Sequence, residues 1–141
     1  MFALTSSSCY YLYREATDMR KSFDGLSGLI QRQLRRSASS GEVFIFINHR
    51  RDRIKLLRWE EGGFILYYKR LESGTLELPR FDSASMTCVM SWAELVMMIE
   101  GISITHIKRR PARLFQHSNL HPSARIAGSF KNSDYRRRCG D

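Results

Sequence analysis

Between residues 41 and 72 the chain reads GEVFIFINHRRDRIKLLRWEEGGFILYYKRLE, and this stretch constrains the fold more than any other. Three runs of strand-forming residues follow one another, at 43–48, 53–59 and 64–71. The gaps between them, 49–52 and 60–63, carry turn residues and are far too short for a parallel crossover. Antiparallel hairpins are therefore required, and the pattern predicts a three-stranded meander. A fourth strand is expected at 75–78, after a Ser73-Gly74 turn and ending at Pro79, which lacks a ladder donor.

Simple pairing sets Asn48 opposite Arg53 and Trp59 opposite Phe64, and alternation then sorts the side chains. One face holds Val43, Ile45, Ile47, Ile54, Leu56, Ile65, Tyr67 and Leu71, with Lys69 as a misfit, and reads as core. The other holds Phe44, Phe46, Asn48, Arg53, Lys55, Leu57, Trp59, Phe64, Leu66, Tyr68 and Arg70. Rings and cations alternate there. Either this is a second packed face edged by basic stems, or it is an open surface that stacks bases and neutralises phosphates.

Outside the meander, residues 10–14 (YYLYR) read as a short edge strand, and residues 80–87 as a polar loop. Phe23, Leu26, Leu29, Ile30 and Leu34 form a helical stripe with Ser22 at the N-cap and Asp24 in the first turn. Gly25 and Gly28 suggest close packing of this helix on the sheet. A second helix begins with a capping box, Ser91 and Glu94, continues through Trp92, Leu95, Val96 and Ile99, and stops at Gly101. The expected class is α+β: an antiparallel meander of about four to five strands, two helices packed on one face, and a basic C-terminal tail.

Charge divides the chain at about residue 104. Residues 1–104 carry 14 Lys/Arg against 12 Asp/Glu, whereas residues 105–141 carry 9 against 2. The first segment reads as one domain and the second as a flexible tail, which either anchors nucleic acid or is simply solvated. No apolar run approaches the roughly 18 residues of a membrane span, and no secretory signal pattern is present at the N-terminus. An odd number of cysteines, Cys9, Cys88 and Cys139, without a CxxC pair suits a reducing cytoplasm better than a disulfide framework. His117 and His121 lack further ligands at metal-binding spacing. No catalytic residue, metal, cofactor or small-molecule ligand is expected.

Asp18-Met19-Arg20-Lys21-Ser22-Phe23-Asp24-Gly25-Leu26, then Phe44-Ile45-Phe46, Asp52-Arg53-Ile54-Lys55-Leu56-Leu57, Gly63-Phe64 and Tyr68-Lys69-Arg70-Leu71-Glu72 form an ordered set of blocks. Together with Met98-Ile99-Glu100-Gly101 they resemble the small TnpB accessory protein of bacterial insertion sequence 66 elements, over roughly residues 8–104. That family is unrelated to the RNA-guided nuclease of the same name. The resemblance implies a factor for DNA transposition, acting beside a separately encoded transposase. The residues on their own point to DNA contact by Arg50, Arg51, Arg53, Lys55, Lys69 and Arg70. Asp18, Met19, Arg20, Lys21, Phe23, Asp24, Gly25 and Tyr68 form a family motif and candidate partner surface, although Asp18–Lys21 also fits a plain helix entrance. Expected partners are element-end DNA and the transposase or other element-encoded proteins. The alternative is a transposase adaptor with no direct DNA contact.

Overall fold

In a computed structural model, residues 4–82 and 84–101 are described. The expected basic tail, with His117, His121 and Cys139, lies outside the described residues.

The central runs form β2 (Val43–Ile47), β3 (Arg53–Glu60) and β4 (Gly63–Arg70). Their hairpins keep simple pairing: Phe46 faces Lys55, Trp59 faces Phe64, and Arg53 faces Arg70. The two-face assignment therefore holds along the meander.

Two strands complete a five-stranded sheet of order β4-β3-β2-β1-β5. Strand β1 (Tyr10–Tyr13) is not at an edge but inside the sheet, parallel to β2 and antiparallel to β5 (Thr87–Met90). The parallel pair is possible because the whole of 14–42 separates β1 from β2, ample for a crossover containing a helix. Residues 75–78 do not form a strand. Leu76 donates its N–H to the Arg51 carbonyl at 2.7 Å and is buried, so the segment folds back over the β2–β3 turn instead of extending the ladder.

The first helix, α1 (Phe23–Leu29), runs on into a π-helical turn (Ile30–Leu34) that Arg35 closes in the left-handed region at φ 51°. Ser22 occupies the N-cap position, but its side chain makes no cap bond. Gly25 and Gly28 do not press on the sheet: a Cβ at Gly25 would meet Lys21 Cβ at 3.2 Å, and one at Gly28 would meet Arg32. The second helix, α2 (Trp92–Glu100), has the expected capping box, and Gly101 ends it at φ 73°.

The helices touch opposite faces of the sheet, not one. Tyr10 pairs with Val43 and meets Trp92 of α2 at a ring separation of 5.9 Å. Tyr11 pairs with Phe44 on the other face and lies beneath the Arg36 guanidinium, 4.0 Å away. On that second face Lys55 bonds to the segment leading into α1. Five consecutive β2 residues are accordingly buried, Val43 through Ile47. A strand apolar at every position needs cover on both sides, and the two helices provide it.

Removing the Ser91 hydroxyl should cost about 1 kcal/mol, the usual worth of an N-cap oxygen. Urea denaturation of Ser91→Ala against the parent checks this, with Ser91→Thr expected to retain most of the stability.

Candidate functional site

The segment between β1 and α1 is fastened to the sheet at two points. Thr17 donates its N–H to the Ile47 carbonyl at 2.9 Å, at the end of β2. Lys55 Nζ then donates to the carbonyls of Met19 (2.8 Å) and Lys21 (2.7 Å). Between these ties Asp18 accepts from the Arg20 backbone N–H at 2.9 Å and from the Arg20 guanidinium at 2.7 to 3.1 Å. These Arg20 bonds hold the Asp18 carboxyl at a pKa of about 2, below the ordinary 3.8. Arg20 itself stays 91% exposed.

The β2–β3 turn is built by Asn48. Its side-chain oxygen accepts from the N–H groups of Asp52 and Arg53, and its amide donates to Asp52 Oδ1 at 2.6 Å. That amide bond is the main reason the Asp52 carboxyl is pulled below its usual range. Arg51 takes a left-handed conformation at φ 58° to close the turn. Its exposed neighbour Arg50 lies beside the groove described next.

Lead-in, turn and the end of β4 enclose a groove of about 570 Å³, lined by Asp18, Met19, Arg20, Asn48, Arg53 and Tyr68 among others. Tyr68 is 52% exposed, sits over the Lys55 ammonium at 4.5 Å and accepts a long bond from Arg53 (3.4 Å). The groove thus joins part of the motif set, Asp18, Met19, Arg20 and Tyr68, to two of the cations, Arg50 and Arg53. Arg70 stands directly opposite Arg53 on the same face. Arg51 and Lys69 are exposed at the same end of the meander, Lys69 on the opposite face opposite Ile54. Among the described residues none of Arg50, Arg51, Arg53, Lys69 and Arg70 forms an ion pair.

One of the expected contacts requires correction. Lys55 is only 5% exposed and its ammonium is occupied by two carbonyls, so it is an internal tie and not a phosphate contact. Of the two readings of the ring-and-cation face, the packed one fits its middle, where Phe44, Phe46 and Leu57 are buried beneath the α1 side. On that face Tyr68 and Arg70 are exposed, and Arg53 beside them is half-buried. Phe23 is 43% exposed, so it is not part of the helix's buried stripe, while Asp24 is exposed in the first turn and Gly25 half-buried. The groove was not legible in the sequence, since 28 positions separate Arg20 from Asn48 and nothing local links them.

No group of three or more His, Cys, Asp or Glu able to hold a metal occurs among the described residues. No helix among them is long and apolar enough to cross a membrane. The site defines a small α+β domain with an arginine-bearing groove at one end of its sheet. Residues 8–109 match the model of the IS66 Orf2-like proteins, TnpB of insertion sequence 66, and the chain belongs to that family. It is a family of insertion-sequence accessory proteins and not a known catalytic one. The uncharacterized protein y4jC of Sinorhizobium fredii is 30% identical over 99 residues, covering 70% of this chain and 83% of the relative. The uncharacterized y4hO of the same strain is 30% identical over 91 residues, covering 64% and 76%. No solved structure matches the chain.

Replacing Lys55 by Met should destabilise the fold by about 2 kcal/mol, because two carbonyls lose a charged donor, whereas Arg53→Ala should cost under about 0.5 kcal/mol. Chemical denaturation of the two variants separates them. Asp18 has a depressed folded pKa, so its contribution is complete above 3.8 and is lost as pH falls through about 2. Asp18→Asn should therefore flatten the stability profile within that acid window and leave its shape near neutrality unchanged.

Proposed function

We propose that the protein is a non-catalytic accessory factor of insertion-sequence transposition that binds the element's DNA in the bacterial cytoplasm. It does so through the basic end of the sheet, by Arg50, Arg51, Arg53, Lys69 and Arg70. The observation that supports this best is the cross-strand pair of Arg53 and Arg70. Like charges directly opposed on one face are unfavourable, and an anion between them relieves the repulsion. DNA phosphates supply that charge repeatedly, giving affinity without sequence choice. Neither metal nor cofactor enters this reading. Membership in the family supplies the link to transposition.

A second reading, an adaptor that holds the transposase without touching DNA, draws on Phe23, a family-motif residue with an exposed ring. Its signature is co-purification with the transposase that withstands high salt and is lost in Phe23→Ala.

The DNA reading is checked by titrating binding against salt. Each lost phosphate contact reduces the slope of log affinity on log salt by about 0.9, so Arg53→Glu with Arg70→Glu should flatten it by roughly 2. Lys55→Met should leave the slope unchanged. A double variant with the parental slope would remove both arginines from the footprint.

A further inference from the structure

Tyr68 is held as a platform. Lys55 lies against one ring face at 4.5 Å, and its ammonium is itself fixed by the Met19 and Lys21 carbonyls. Arg53 donates to the ring hydroxyl at 3.4 Å. With one face and the hydroxyl engaged and the residue 52% exposed, the other ring face is the open one. Tyr68 lines a groove of about 570 Å³ together with Arg50 and Arg53.

From this geometry we infer that the groove takes a single unpaired nucleotide of DNA, its base stacked on Tyr68 and its phosphate held by Arg53 and Arg50. The inference rests on the DNA reading above and deepens it. A duplex hides its base faces within the stack, so only an extruded, overhanging or single-stranded base can offer one to a lone ring. The volume is within the roughly 300–1,000 Å³ usual for small-ligand sites. Charge also favours a nucleotide. Asp18 is engaged by Arg20, and Asp52, bonded to Asn48, is attracted by the Arg53 and Arg50 charges; neither arginine forms an ion pair among the described residues, and with Arg70 opposite Arg53 the cations outnumber the one carboxylate they face.

The test uses the full chain at fixed salt, with a blunt duplex and the same duplex bearing a short single-stranded extension that contains a fluorescent adenine analogue. The wild type should bind the extended DNA about ten-fold more tightly and change the analogue's fluorescence, as one base–aromatic stack implies. Tyr68→Ala should abolish both effects while keeping duplex binding, and Tyr68→Phe, which retains the ring, should preserve them. Equal affinity of the wild type for the two DNAs, with salt-dependent duplex binding intact, overturns the nucleotide site and leaves the DNA reading standing. Absence of binding to either DNA overturns both. Loss of transposase capture in Tyr68→Ala, with unchanged preference for the extension, also overturns the inference and assigns the ring to a protein partner.

Discussion

One buried ammonium connects most of what is distinctive in this domain. Lys55 sits in the middle strand of the meander, yet its charge is directed at the Met19 and Lys21 carbonyls of a segment more than thirty positions earlier. A lysine so enclosed must have its donors engaged, because an unpaired buried charge is strongly unfavourable. The carbonyls and the Tyr68 ring meet that demand together. The result fixes three things at once: the height of the lead-in above the sheet, the entry of α1, and the seat of the exposed ring. Asp18 and Arg20 are presented at the rim because the chain on both sides of them is fastened.

Burial is deepest at the centre of the sheet. Strand β2 is buried at all five positions, so both of its faces must be covered, and the helices lie on opposite sides. Cover on β3 spans Ile54 to Leu57 and gives way at both ends, at Arg53 beside the β2–β3 turn and from Arg58 onward toward the β3–β4 turn. At the β2–β3 end lie residues that do not suit a core: Arg53, Tyr68, Arg70 and the turn arginines. A basic end with exposed side chains, set beside a buried centre, is a compact way for a small accessory protein to present charge.

Much of the fold could be read from local pattern. The meander, its register and the capping box of α2 depend on residues adjacent in sequence or joined by short turns, and all three were legible. The Thr75–Leu78 strand was not correctly legible, because Leu76 is buried with its N–H on the Arg51 carbonyl, a contact that an alternating pattern does not announce. The interior position of β1 and its parallel partner depend on a crossover, and no local signal encodes which neighbour a strand will choose. Strand β5 was missed for a similar reason: four residues between a polar loop and a capped helix carry little periodicity.

The sequence by itself determined the hairpin parity, the residues that share each sheet face, and membership in the insertion sequence 66 family, since these follow from spacing and side-chain type. Tertiary structure decided which of the basic residues remain available. Lys55 and Arg53 are two positions apart on one strand and share a face, yet one is enclosed by distant carbonyls and the other lines an open groove. Alternation sets the direction of a side chain, but what lies above it depends on how the rest of the chain returns.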